Sequence, residues 1–302
     1  MIARDEFLAM PVEQVARLVH EAGEQVCVFP INGTRRWFML EHGNEQGDDP
    51  LGTYMDISAQ NHISLYKLIF DHGVDTLITP VIGPDILLRG DEYLTRVGGE
   101  GLARLAQGAD FLDFYDACDV RVHFYGNHHT ALAGTPYAHL SALFDEAARR
   151  TSSHQRFRLF FGVFGDDATD AVAEFAVHYQ QEHGQIPDRR RIIEMYYGEY
   201  VEPVSFFIGF DRFTVFDYPL LASGGEDLYF TTAPSPYLTA QTLREILYDH
   251  LFTRRDAEPE YARLSRVDRQ EIDRFYQKHQ HEVLGVGRIR NGFWTPVIGQ
   301  EN

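Results

Sequence analysis

The chain has 302 residues and carries 27 basic against 45 acidic side chains, a formal net charge of −18. Such a charge argues against binding to nucleic acid or to an anionic membrane, because both need a basic face. No apolar run reaches the roughly 18 residues of a membrane span, and the two cysteines are too few for a disulfide scaffold. Because the N-terminus also lacks the apolar segment of a signal peptide, we expect a cytoplasmic protein.

Short strand-like runs alternate with helical periods along the chain. In chain order the pattern predicts helix 12–22, strand 26–29, helix 63–70, strand 76–82, helix 91–106, strand 120–125, strand 157–164, helix 167–179, helix 187–197, strand 204–210, strand 228–231, a helix from residue 240 and a charged helix over 263–280. Strands alternating with helices favour a mostly parallel central sheet flanked by helices. We therefore expect one α/β domain over residues 1–302, whose charged helical segment from about 256 to 302 is available to pack on a partner subunit.

A basic turn follows the first predicted strand: Gly33, Thr34, Arg35 and Arg36. Ligands of open α/β sheets bind where the strands end. The glycine lets a ligand approach the backbone, the threonine supplies a hydroxyl, and two guanidinium groups can bind phosphate oxygens. The pattern thus predicts an anion pocket shaped for a diphosphate. The alternative is a surface arginine pair neutralised by the plentiful acidic side chains.

The turn Asn32-Gly33-Thr34-Arg35-Arg36-Trp37 resembles the Asp-Gly-Asn-x-Arg-Trp signature of the cis-prenyltransferases, the family of the undecaprenyl diphosphate synthases. The chain is more closely similar to a branch of that group, the tuberculosinyl transferases and tuberculosinol synthases. The stretches that carry this similarity are 29–38, 161–165, 196–201, 207–210, 216–221, 228–231 and 246–250. The resemblance implies a cis-prenyltransferase-like domain with its active site at the C-terminal ends of the strands.

The resemblance also implies an activity. An enzyme of this kind ionises an allylic diphosphate, here a diterpenyl one, and passes the cation to an adenosine-like nucleophile or to water. Loss of diphosphate needs positive charge and hydrogen-bond donors, and the hydrocarbon needs an apolar cavity that excludes water. The family further implies Mg²⁺ and a homodimer. Two alternatives stay open: a cis-prenyl chain-elongating synthase, and a non-enzymatic or catalytically impaired relative.

Site roles are carried over onto matching positions. The resemblance implies catalytic roles for Asn32, Arg35, Arg36 and Tyr54, and diphosphate binding by Gly33, Thr34, Arg35, Arg36 and Arg212. Tyr54 matches a tyrosine that can hydrogen-bond the leaving oxygen or the nucleophile; without the family it would be taken for a tyrosine of a surface loop rich in Gly and Asp. Mg²⁺ ligands are sought among Asp227, Asp217 and Asp85, each with the alternative of being a solvated acid.

Asn32 departs from the family pattern, which has an aspartate at this position. An asparagine carries no charge and accepts no proton at neutral pH, but it can still hydrogen-bond a diphosphate or a hydrated Mg²⁺. Three explanations remain open: a natural enzyme that depends less on metal at this position, an engineered Asp-to-Asn replacement, or a relative that has lost catalysis.

Overall fold

The computed structural model describes residues 2–44, 48–83, 93–165, 167–254 and 263–297. Six strands form one sheet in the order β3-β4-β2-β1-β5-β6, and each adjacent pair is parallel. The strands are β1 (Val26–Val28), β2 (Thr76–Ile82), β3 (Val120–Tyr125), β4 (Phe157–Val163), β5 (Phe206–Phe210) and β6 (Asp227–Thr231). The predicted parallel α/β sheet is confirmed. Because all six strands run in the same direction, their carboxyl ends lie at one side of the sheet, which we call the ligand edge.

Helices precede, connect and follow these parallel strands. They are α1 (Arg4–Ala9), α2 (Val12–Glu21), α3 (Thr34–Glu41), α4 (Pro50–Asp71), α5 (Leu102–Gln107), α6 (Ala109–Cys118), α7 (His128–Leu132), α8 (His139–Arg150), α9 (Thr169–His183), α10 (Arg189–Tyr197), α11 (Ala240–Tyr248) and α12 (Arg266–His279). Two π-helical segments, Leu94–Gly101 and Asp249–Thr253, precede α5 and follow α11. Within the described ranges, no helix is both long and apolar enough to cross a membrane.

The core lies on both faces of the sheet. Neighbouring residues of a strand point to opposite faces, and in β1 Cys27 belongs to one buried cluster while Val26 and Val28 belong to the other. The first cluster includes buried side chains of α2, α4 and α6, and the second includes those of α10. Because β1 and β4 are buried on both sides, they read as nearly continuous apolar runs.

Helix α4 is much longer than the predicted 63–70. Asp49 caps its start by accepting a hydrogen bond from the Gly52 amide at 3.0 Å, and Pro50 occupies the first turn. Tyr54 consequently lies on a helix and not in a surface loop. The Asp-Pro pair was the signal for this start, but the Gly- and Asp-rich composition around it pointed to a loop.

The C-terminal part contains a hairpin that the sequence pattern did not predict. Strands β7 (Gly287–Arg290) and β8 (Phe293–Pro296) pair antiparallel, and both turn residues have positive φ, 51° at Asn291 and 81° at Gly292. An Asn-Gly turn of this kind favours a two-residue hairpin. The predicted charged helix is present as α12. That residues 1–302 form a single domain stays a prediction.

Three histidines make the fold sensitive to acid. Burial lowers the pKa of His62, His123 and His128 to about 4 in each case, against about 6.5 in an unfolded chain. The unfolded state therefore binds more protons between pH 6.5 and 4, so stability is lost as the pH falls through that window. We expect each histidine to lower the free energy of unfolding by about 2 kcal/mol at pH 5 relative to pH 7.5. Urea unfolding at the two pH values measures this, and equal stabilities would contradict it.

Candidate active site

The basic turn leads directly from β1 into α3. Gly33 has φ +77° and caps α3, which begins at Thr34. Ser235 holds the turn in place. The backbone amide of Asn32 donates to the Ser235 hydroxyl, and the backbone amide of Ser235 donates to the backbone carbonyl of Asn32, both at 3.0 Å. The N-terminus of α3 therefore presents backbone amides and positive dipole at the ligand edge, a favourable place for an anion.

A cavity of about 770 Å³ opens beside this turn. Its walls come from the turn and α3, from α4, from the end of β2, from the π-helical segment with α5, from the loop after β5 and from the hairpin. Of the predicted site residues, the structure brings the following together around this cavity: Asn32, Gly33, Thr34, Arg35, Arg36, Tyr54 and Asp217. Much of the remaining wall is apolar, with Met55, Ala59, Val97, Leu105 and Phe111 among its side chains.

The Arg36 side chain is fixed by contacts with two aromatic rings and one carboxylate. Its guanidinium lies 4.4 Å from the ring centre of Phe293 and 5.3 Å from that of Phe210, and its Nη2 is 3.4 Å from Asp211 Oδ2. Its Nε is buried and has no hydrogen-bond partner among the described residues. A buried donor without a partner is costly. The Arg36 side chain as a whole is 27% exposed and lines the cavity, so its guanidinium is a positioned cation for an anion bound there.

Arg35, Thr34 and Tyr54 complete the polar wall. The Arg35 guanidinium lies 5.2 Å from the ring centre of Tyr93 and is exposed to the cavity. The hydroxyls of Thr34 and Tyr54 are 2.8 Å apart. Burial raises the pKa of Tyr54, so its phenol stays protonated at neutral pH and can donate a hydrogen bond.

The remaining predicted residues lie elsewhere. Asp227 is the first residue of β6, so it lies at the amino ends of the strands, opposite the ligand edge. Its carboxylate is 2.7 Å from His250 Nδ1 and 3.3 Å from Arg254 Nη1. Asp227 is therefore not among the residues that line the cavity, and its expected metal role stays a prediction. Arg212 is exposed in the loop after β5 and is not part of the cavity wall. Asp85 lies outside the described residues.

Several residues of the site have no counterpart in the sequence predictions, among them Asp211, Phe293 and His62. Asp211 directly follows β5 with φ +70°, and Phe293 comes from the unpredicted hairpin. His62 lines the cavity from α4. A signal existed for Asp211 alone, since an acidic residue after a strand lies at the ligand edge.

The Thr34–Tyr54 contact can be tested with Tyr54→Phe. Because the change removes one donor next to the predicted diphosphate site, we expect the kcat of diphosphate release, the activity that the family resemblance implies, to fall about 10-fold or more. Steady-state diphosphate release measures this. Tyr66→Phe is the matched control, since Tyr66 is a buried tyrosine of the same helix outside the cavity wall. Equal loss in both variants would contradict a role for the Tyr54 hydroxyl.

Comparison with known proteins identifies relatives of this chain by sequence similarity. The chain is 43% identical over 296 residues to the tuberculosinyl adenosine transferase of Mycobacterium tuberculosis, covering 97% of this chain and 98% of that protein. It is 22% identical over 296 residues to the (+)-kolavelool synthase of Herpetosiphon aurantiacus, covering 96% and 94%. No family model matches the chain.

Solved structures share the fold. A protein described as a probable undecaprenyl diphosphate synthase from Campylobacter jejuni superposes with a TM-score of 0.54 at 12% identity, covering 80% of this chain and 99% of that one. The lavandulyl diphosphate synthase of Lavandula x intermedia, solved with dimethylallyl diphosphate, superposes with a TM-score of 0.52 at 13% identity, covering 77% and 97%. At such identities the likeness concerns the fold alone, which is that of the cis-prenyltransferases.

Proposed function

Since the chain belongs to the tuberculosinyl adenosine transferase family of enzymes, we propose that it ionises an allylic diterpenyl diphosphate and passes the cation to a nucleoside such as adenosine, or to water. The observation that carries this proposal is the pair Arg35 and Arg36, which line the cavity in the first turn of α3. The bond from carbon to the diphosphate oxygen breaks, and its electron pair leaves with the diphosphate. The acceptor's nitrogen or oxygen then bonds to the allylic carbon, with loss of a proton when the acceptor is water.

The polar wall supplies what this step needs. Negative charge grows on the leaving oxygen, and Arg35, Arg36 and the amides at the start of α3 are already in place to stabilise it. Tyr54 donates from α4, beside the basic turn, while its hydroxyl stays aligned by Thr34. The apolar remainder of the cavity excludes water from the cation until the chosen acceptor reaches it.

Mg²⁺ fits this donor set as an ion held mainly by the substrate. Among the described residues there is no cluster of three or more His, Cys, Asp or Glu side chains of the kind that holds a metal by protein ligands alone. Magnesium commonly binds through one or two carboxylates together with substrate phosphates. Asp217 and the Asn32 amide oxygen are the cavity groups that would hold it, and the ion would neutralise diphosphate charge.

The activity is tested by incubating the protein with tuberculosinyl, geranylgeranyl and farnesyl diphosphates, with and without adenosine. Mass spectrometry would identify a prenylated nucleoside or a terpene alcohol, and we expect one of these from a diterpenyl substrate. Extension of farnesyl diphosphate by isopentenyl diphosphate would instead support a chain-elongating synthase. No turnover of any diphosphate, also after Asn32→Asp, would indicate a non-enzymatic relative.

Asn32→Asp tests how the neutral side chain affects metal dependence. A carboxylate next to the diphosphate repels it unless a divalent cation lies between them. We therefore expect Asn32→Asp to weaken the binding of inorganic diphosphate in the absence of Mg²⁺. We also expect the ratio of the affinity with Mg²⁺ to the affinity without Mg²⁺ to be about 10-fold larger in Asn32→Asp than in the unchanged protein. Calorimetric titration measures both affinities. An unchanged Mg²⁺ effect would contradict the placement of Asn32 beside the diphosphate.

We further propose that the protein is a homodimer and resides in the cytoplasm. The surface of α12 and of the segment leading into the hairpin exposes large apolar side chains, among them Phe275, Tyr276 and Leu284. Exposed apolar patches of this kind are typical of interaction surfaces. Sedimentation velocity of the unchanged protein tests the dimer.

A further inference from the structure

The cavity wall contributed by α4 carries a polar stripe. Tyr54, Ser58 and His62 are spaced four residues apart, so they share one face of the helix, and all three line the cavity. At 1.5 Å per residue, His62 lies about 12 Å along the helix axis from Tyr54. Tyr54 contacts Thr34 of the basic turn, so His62 belongs to the end of the cavity away from the diphosphate.

His62 marks where the cavity ends along α4. One turn further, Tyr66 is 1% exposed and packs against Phe114 and Phe161 in the core, outside the cavity wall. The ring centres of His62 and Tyr66 are 6.2 Å apart. The histidine thus lies between the filled core and the open space.

The imidazole of His62 is neutral and incompletely bonded. Its Nε2 is buried and has no hydrogen-bond partner among the described residues, and burial lowers the pKa of His62 to about 4. A pocket meant for plain hydrocarbon gains nothing from such a group, because an unpartnered buried polar atom costs stability. His62 lines the cavity, so a rotation of the ring that turns Nε2 toward the open space removes this cost when an occupant there offers a hydrogen-bonding partner.

We propose that His62 forms a polar subsite for the far end of the substrate, and that this enzyme takes an allylic diphosphate whose terpenyl group carries a hydroxyl or carbonyl remote from the diphosphate. This inference rests on the proposed function and narrows its substrate class. The acceptor nucleophile does not fit the subsite, because it must reach the carbon that bears the diphosphate, two helical turns away. A neutral imidazole can donate to a carbonyl or exchange hydrogen bonds with a hydroxyl, according to its tautomer.

The test compares geranylgeranyl diphosphate with the same compound hydroxylated at its terminal carbon. For the unchanged protein we expect kcat/KM to favour the hydroxylated compound about 10-fold or more, since a site built for a hydroxyl penalises its absence. His62→Phe should reverse the preference and His62→Gln should restore part of it. Asn61→Leu is the matched control: its Oδ1 is likewise buried without a partner in the described chain, but it is outside the cavity wall.

The outcomes separate the two proposals. Turnover of both compounds with no preference, or a preference unchanged in His62→Phe, would overturn the polar subsite and leave the proposed function standing. If neither compound is turned over, and tuberculosinyl diphosphate is not turned over either, the proposed function fails. The subsite is then decided by calorimetric binding of the two thiolodiphosphate analogues: tighter binding of the hydroxylated analogue supports it, and equal binding, or no binding, overturns it. Thermal unfolding of each variant shows whether it is folded.

Discussion

Arg36→Ala should lower kcat/KM for diphosphate release by about 100- to 1000-fold. The change removes a charged group whose buried Nε has no other partner in the described chain, and the loss of one preorganised donor at a developing negative charge typically has this size. Arg36→Lys should recover only a small part, because an ammonium group neither reproduces the planar fork nor stacks in the same way between Phe210 and Phe293. Steady-state release of diphosphate from a diterpenyl substrate measures both.

Arg190→Ala is the matched control for this prediction. Arg190 also lies over an aromatic ring, 4.0 Å from the centre of Tyr200, and pairs with a carboxylate, that of Glu194 at 3.1 Å, but it is outside the active-site cavity. We expect near-normal activity from it. If Arg36→Ala and Arg35→Ala both left diphosphate release intact, the assignment of the basic turn as the diphosphate site would be wrong.

Gly33→Ala should lower both the stability and the activity of the protein. A Cβ at this position would lie 2.7 Å from Phe210 Cε1 and 2.9 Å from Pro234 Cβ, and the φ of +77° is unfavourable for any residue with a Cβ. Relieving the clash must move Phe210, which supports Arg36. Because a displacement of about 1 Å can cost about 100-fold in rate, we expect activity to fall at least that far.

Gly224→Ala separates the two causes. Gly224 has φ +78°, and a Cβ there would meet nothing within 4 Å, so this variant carries the backbone strain without the clash. We expect Gly33→Ala to lower the free energy of unfolding by about 1–3 kcal/mol more than Gly224→Ala does. Urea unfolding gives the difference, and equal losses would show that Gly33 is required for its backbone angle alone.

Much of the fold follows from local pattern. The apolar runs at β1 and β4 predicted strands, and the alternation of strands with helices predicted the parallel sheet. The same logic placed the basic turn at the ligand edge, because it follows a strand. The same logic places Asp227 away from the ligand edge, because this residue lies at the start of its strand and not at the end.

The contacts that shape the site could not be read in this way. Periodicity reports which face of an element is apolar over a few residues, whereas the meeting of Arg36 with Asp211 joins positions 175 apart in the chain. That contact exists because β5 lies beside β1 in the sheet, an order that the strands' own sequences leave undetermined. Tyr54 contacts Thr34 because α4 begins at Pro50, well before the predicted start of this helix at residue 63.

The sequence by itself determined the chemistry of the basic turn: a glycine able to adopt positive φ, a hydroxyl, two guanidinium groups and a neutral Asn32 where the family has an acid. These are properties of residue types within one short segment, so no tertiary information is needed. Only the tertiary structure decided what surrounds that turn, namely Asp211 and Phe293 on Arg36 and the unpartnered His62 two helical turns from Tyr54. Those partners are selected by strand order and packing, which act between segments far apart in the chain.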